Sequence, residues 1–241
     1  MLLRLPTSVS EAQEYLAQGA VPVGGATLVW AGWQRDGFPE LAMSLRKLPE
    51  ANEIGPGRLG AAVLLHQVDD RVPEVLRAAA ATVGTGAVRR AATVGGNIVG
   101  STLRCLLPAA LVLDARATVL VQDRSYETDL GEVLAKRHLL LALRWNTPVV
   151  TGYRKLPAAA GGPPPLVVAC AVHADDSGHR RLRVAVRDGY EVLGETTDAG
   201  PDAGQVTDAL DAGPLGSLPA EARAAVREQV TDVLARAAAV H

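Results

Sequence analysis

Two glycine pairs about seventy residues apart, Gly24-Gly25 and Gly95-Gly96, set the tightest limit on what this 241-residue chain can fold into. Each pair follows an apolar approach and precedes an apolar segment, in Val23-Gly24-Gly25-Ala26-Thr27-Leu28 and in Ala91-Ala92-Thr93-Val94-Gly95-Gly96-Asn97. Glycine turns the backbone without a Cβ penalty and lets bare N–H groups close on an anion. Thr93 and Asn97 add a hydroxyl and an amide able to bond phosphate or ribityl oxygens. A Gly-Gly-Asn between apolar runs also makes an ordinary tight turn, so one copy alone leaves both readings open. Two copies with hydroxyls nearby are what a long diphosphate ligand held between two loops needs. Neither is a G-x-G-x-x-G or a G-x-x-x-x-G-K-[ST] run, so a different phosphate cradle is required.

Composition removes several function classes. Apolar residues are 48%, charged residues 21% and the formal net charge is −2, which suits a soluble globular protein and offers nucleic acid no basic excess. Arg180-Arg181-x-Arg183 reads as a solvated strand end. Three Trp, four Tyr and one Phe leave the core to be filled by Ala, Val and Leu. No apolar stretch approaches the roughly twenty residues of a membrane span, and the start Met1–Pro6 is too short to be a signal peptide, so a cytoplasmic protein is expected. Cys105 and Cys170 cannot supply the four thiolates of an iron–sulfur cluster, and any such cluster would sit in another polypeptide. His66, His138, His173, His179 and His241 show no metal-ligand spacing.

Along the chain, Leu2–Leu5 reads as a strand, Ser8-x-x-Glu11 as a capping box opening a helix that stops at Gly19, and Ala20–Val23 as a strand delivering the first glycine pair. Leu28–Trp33 reads as helix or extended segment, Glu40–Leu45 as a strand, and Pro49–Gly57 as a loop that marks the first boundary. Arg58–Leu65 reads as a buried strand and Val72–Ala81 as an Ala-rich helix broken at Gly84-Thr85-Gly86. Arg89 and Arg90 read either as plain surface charges or as contacts to a bound diphosphate. Leu106–Leu113 is expected to be helix, Ala117–Gln122 to begin a hairpin turning at Asp123-Arg124, and Leu139–Leu143 to be a buried strand. A strand from Thr151 is followed by a Pro/Gly-rich spacer, a buried strand over Leu166–His173, and a hairpin through Asp175–Gly178 into Arg181–Arg187. Residues 194–219 read as loop with one short helix around Val206–Leu210, and an amphipathic helix starts at Pro219.

Four motifs in register resemble the FAD-binding (medium) subunit of molybdenum hydroxylases such as aerobic carbon monoxide dehydrogenase and xanthine dehydrogenase. They are VGGATL at 23–28, RRAATVGGN at 89–97, LPAALVLDA at 107–115 and GYRKL at 152–156. The resemblance covers about the first 170 residues. It implies an α+β, two-subdomain FAD-binding fold of the PCMH/vanillyl-alcohol-oxidase type with a small C-terminal α/β domain. The division is 1–55 for the first FAD-binding subdomain, 56–150 for the second, and 151–241 for a shortened C-terminal domain. The implied role is electron transfer from an iron–sulfur partner to an external acceptor. FAD would be the cofactor of this chain, with the molybdenum cofactor on a large partner subunit and [2Fe-2S] clusters on a small one.

By that resemblance Gly24, Gly25, Gly95, Gly96 and Asn97 would hold the pyrophosphate and ribityl chain, with Thr93 beside them and Leu140 on the ring system. Val23, Ala26, Thr27, Leu28, Ser101, Thr102 and Cys105 complete the expected cofactor set. Lys155 either approaches the flavin or is a strand-end surface charge. No catalytic residue and no metal ligand are indicated. The chain departs from the family at Ala26, where a threonine is usual, at Cys105, where an acid is expected, at Ala159, where an arginine is expected, and in lacking the C-terminal S-x-x-R-x-S-x-x-Y-R segment. Three functions therefore stay open: an FAD-binding redox subunit, a stand-alone flavoenzyme of a biosynthetic pathway, and a structural subunit that has lost FAD.

Overall fold

The N-terminal strand β1 (Leu2–Arg4) leads to α1 (Val9–Ala17), whose start is capped by Ser8 accepting from the Glu11 N–H at 3.2 Å. The Glu11 carboxylate accepts most closely from the Thr7 N–H, at 2.6 Å, with the Ser8 backbone contributing less, so the return half of the expected capping box is centred one residue earlier. Gly19, at φ +82°, releases the chain from α1 into β2 (Val21–Pro22). Helix α2 (Val29–Asp36) settles the alternative left open for Leu28–Trp33, and β3 (Leu41–Met43) follows. The computed structural model describes residues 1–122, 124–157 and 161–240; Asp123, Ala159 and His241, singled out in the sequence, lie outside them.

The stretch from Pro49 to Gly57 is more ordered than a loop. It holds a 3₁₀ turn at Pro49–Ala51 and β4 (Ile54–Gly55), which pairs antiparallel with β5 (Arg58–Gly60). The strand expected as far as Leu65 ends at Gly60, because residues 61–65 turn their backbone to the second glycine segment. Gly95 N–H bonds to Ala61 O at 2.8 Å, Val94 N–H to Val63 O at 3.0 Å, and Leu65 N–H to Ala92 O at 3.0 Å. Helix α3 (Glu74–Ala81) is the Ala-rich helix, and a short α4 (Gly86–Ala91), capped by the Thr85 hydroxyl on Val88 N–H, fills what reads as a break.

Helix α5 (Leu107–Val112) carries Pro108 in its first turn, where a missing N–H costs nothing. Strands β6 (Arg116–Leu120) and β7 (Ser125–Thr128) form the expected hairpin, α6 (Leu130–Lys136) is capped by Asp129, and β8 (Leu139–Arg144) follows. The C-terminal part runs β9 (Val150–Lys155), β10 (Val167–Ala174), β11 (Arg180–Asp188), β12 (Glu191–Asp198), α7 (Ala203–Asp211) and α8 (Ala220–Ala238). Strand β12 falls where a loop is expected from Gly194 onward. Its sequence is polar and half exposed, and pairing with β11 in an eight-residue register makes it a strand.

The architecture is α+β, and the chain separates into two compact units. The first comprises residues 1–72, 83–104 and 115–145, and the second residues 73–82, 105–114 and 146–241. Both are discontinuous, whereas the sequence reading cuts the chain into consecutive segments at 55 and 150. In the first unit β1 and β2 pair in parallel with β3 between them, and β4-β5-β8-β6-β7 form a five-stranded antiparallel sheet. Ala12, Met43, Leu48, Leu120 and Leu141 are buried together, tying α1 and the small sheet to the larger one. In the second unit β12-β11-β10-β9 make an antiparallel sheet, and Val168, Cys170 and Val184 pack with Val226, Val230 and Val233 of α8. Gly152 of β9 admits this helix: a Cβ there would overlap Gln229 and Val233.

Candidate functional site

The two glycine motifs meet inside the first unit. Gly24 faces Thr93 and Gly25 faces the Ala91 carbonyl so closely that a Cβ on either glycine would overlap its neighbour. None of Gly24, Gly25, Gly95 or Gly96 has a left-handed backbone. These glycines therefore serve close approach, not the turn conformation their sequence context suggests. Gly95 is in the right-handed helical region (φ −62°, ψ −42°), and Gly96–Gly100 forms a π-helical turn, so the second pair opens a helix instead of a loop. A Cβ at Gly95 would lie 2.9 Å from the Ala61 Cβ.

Thr93 is the hub. Its residue is buried, and its hydroxyl accepts from Gly96 N–H at 3.1 Å while standing against Gly24. Its backbone carbonyl accepts from Asn97 N–H at 2.9 Å. The N–H groups of Gly95, Gly96 and Asn97 are thus engaged by Ala61 and Thr93. The first segment differs. Among the described residues, none accepts a hydrogen bond from the N–H groups of residues 24–28. Five consecutive unengaged donors, fronted by glycine, are the ingredients of an anion-binding nest. Ala26 holds φ +56° within it, and Val23 anchors its start through N–H to Met43 O at 2.8 Å. Thr27 and Leu28 are exposed.

The other expected site residues are placed as follows. Ser101 is buried, and its hydroxyl accepts from Leu103 N–H at 3.1 Å, closing the turn after the π-helical segment; Thr102 is exposed. Asn97 is buried. Leu140 is 2% exposed on β8, the middle strand of the five-stranded sheet, opposite Val119 at a β-bulge. Cys105 and Lys155 belong to the second unit. The Cys105 thiol is buried with the Arg187 Nη1 at 3.6 Å. Lys155 donates its Nζ to the Thr82 carbonyl at 2.7 Å, and Tyr153 bonds the Thr82 hydroxyl at 3.0 Å, with burial pushing the phenol's pKa up. Arg89 donates to the carbonyls of Val83 (3.0 Å) and Gly84 (2.9 Å), so its charge is committed locally.

One residue that no motif covers follows the π-helical segment along the chain. Arg104 has φ +41°, and its Nε is buried without a hydrogen-bond partner. No motif position marks it; the only signal in the sequence is a lone arginine closing a run of small and apolar residues.

Donors of the kind in the first segment, unengaged backbone N–H groups with the exposed Thr27 hydroxyl among them, fit a diphosphate. Residues 3–142, which include both glycine segments, match the family described as the FAD binding domain in molybdopterin dehydrogenase. Among solved structures, the Cu,Mo-CO dehydrogenase in its cyanide-inactivated form is similar over 97% of this chain and 97% of that one, with a TM-score of 0.73 and 18% identity. Reconstituted CO dehydrogenase from Oligotropha carboxidovorans gives 0.70 and 18% over 99% and 98% of the two chains. Quinoline 2-oxidoreductase from Pseudomonas putida 86 gives 0.69 and 17% over 98% and 97%. At such identities the likeness is one of fold. No curated protein sequence matches the chain.

Proposed function

The chain belongs to the family of FAD binding domains in molybdopterin dehydrogenases, and from that premise we propose that it carries FAD as the electron-transfer subunit of a molybdenum-hydroxylase-like complex. The observation that carries this reading is the packing of the first glycine segment, with its five unengaged N–H groups, directly on Thr93 of the second. Residues 1–55 and 56–150 are then the two FAD-binding subdomains, and 151–241 the C-terminal domain.

The chemistry FAD supplies when bound is the exchange of two electrons, taken or given one at a time. The chain's own residues bind and orient. Gly24 and Gly25 keep the N–H row bare, Thr93 holds the two glycine segments in register, and Ser101 shapes the turn that follows. The partners are a molybdenum-binding large subunit, where substrate would react, and a [2Fe-2S] small subunit. The chain's own two cysteines are fewer than the four thiolates that such a cluster takes, which is why the cluster is assigned to the small subunit. The external acceptor is NAD, a quinone or oxygen.

Incubation of the purified chain with micromolar FAD, followed by desalting, tests the reading. The expected product is yellow, with one flavin per chain; a colourless protein that takes up no FAD overturns it. Co-expression with candidate large and small subunits tests the second half: a stoichiometric complex supports the electron-transfer role, while a yellow, active chain that associates with neither partner favours a stand-alone flavoenzyme.

A further inference from the structure

We propose that Arg104 is the counter-charge for the FAD diphosphate, a role that no glycine motif supplies. The inference rests on the FAD reading above and names the side chain that completes its anion site. Three observations converge on this residue. Its backbone is left-handed at φ +41°, a conformation that costs an L-residue with a Cβ. Its Nε is buried without a hydrogen-bond partner, a second cost. Among the described residues no carboxylate forms an ion pair with it. Two uncompensated costs on one residue in the loop after the glycine helix are what a site completed by a ligand shows.

The charge of that ligand follows from the sign of the charges along the segments that carry the two motifs. In a chain with 26 acidic residues, 75–113 contains none, and neither does 15–35. Both glycine motifs lie in these acid-free stretches. The cations of 75–113 are Arg77, Arg89, Arg90 and Arg104. Arg77 lies in α3, an element that carries neither glycine motif, and Arg89 is committed to two carbonyls. Arg90 is exposed at the end of α4 and bears no comparable cost. The N–H nest at 24–28 offers partial charges only, and a diphosphate carries about two full negative charges, so a guanidinium with its planar fork adds what the nest lacks. The Ser101 hydroxyl, by closing the turn on Leu103 N–H, fixes the segment that presents Arg104.

The test compares FAD affinity of the full chain and of Arg104→Gly, Arg104→Gln, Arg104→Lys and Arg90→Gln by flavin fluorescence titration at low and high ionic strength. Arg104→Gly removes the charge and also relieves the left-handed backbone, so the ligand-free protein is expected to melt at or above the parent temperature. FAD binding is expected to weaken about tenfold to a hundredfold in Arg104→Gly and Arg104→Gln, with a flatter salt dependence, and to recover in part in Arg104→Lys. Arg90→Gln should stay within about twofold of the parent. ADP, which shares the diphosphate, should compete with FAD in the parent. Affinity within about twofold of the parent in both neutral Arg104 variants overturns the assignment, as does an equal loss in Arg90→Gln, which would report a general field. A parent chain that binds no FAD overturns the functional reading itself and this one with it.

Discussion

At the residue scale, chemistry and geometry divide the glycines by purpose. Gly25 has an ordinary backbone, so an alanine is conformationally allowed there, yet its Cβ would overlap the Ala91 carbonyl. Gly25→Ala is therefore expected to cost about 1–3 kcal/mol in denaturant unfolding and to abolish tight FAD binding. Gly32, in α2, has nothing near its missing Cβ, and Gly32→Ala should stabilise by about 0.5–1 kcal/mol through helix propensity alone. The pair of measurements separates close approach from flexibility. Glu132 offers a test by titration. Its bond to Lys136, then those to Thr128 and Tyr126, pull its pKa from 4.5 to about 2. A carboxylate depressed on folding stabilises at pH values above its unfolded pKa, and that contribution disappears as pH falls through the folded one. The difference in unfolding midpoint between the parent and Glu132→Gln is thus expected to be full at pH 7 and to shrink steadily between about 4.5 and about 2. A difference independent of pH would show that the Glu132 network does not carry it.

At the element scale, ends and seams decide stability. Helix α6 closes on Arg137 at φ 52°, ψ 41°, a left-handed cap in which glycine has no Cβ penalty. Arg137→Gly is expected to gain about 0.5–1 kcal/mol, seen as a rise of about 1–4 °C in melting temperature, since part of the relief is offset by glycine's freedom in the unfolded chain. In the second unit the seam between β9 and α8 requires Gly152. Gly152→Ala would push on Gln229 and Val233, and a loss of about 1–3 kcal/mol in that unit's unfolding is the expected outcome. Arg180, which reads as a solvated strand end, instead donates to the carbonyls of Ala237 (2.7 Å) and Val240 (2.9 Å), capping the exit of α8. That role is invisible along the chain because its acceptors lie 57 and 60 residues away.

At the scale of the whole molecule, the order of motifs along the chain is enough to place it in its family, and the family match over residues 3–142 agrees. Among the described residues no helix is long and apolar enough to cross a membrane. Short-range rules also locate α1, α3, α5, α8 and the buried strands β8 and β10, because a cap, a breaker or an apolar run acts within a few residues of itself. β12 escapes such rules, since a polar edge strand has no local signature and exists through its ladder to β11. So does the division into two units, each assembled from segments distant in the chain. The candidate site splits along the same line. The sequence by itself singled out two glycine pairs, a threonine and an asparagine as a candidate cofactor motif. Only the tertiary structure decided that the first pair's N–H groups find no acceptor among the described residues while the second spends them on Ala61 and Thr93, that Lys155 bonds to Thr82, and that Arg104 combines a left-handed backbone with a buried Nε left without a partner. The reason is physical: a residue type states which bonds a group can make, whereas the neighbours brought to it by chain closure determine which of those bonds are left for a ligand.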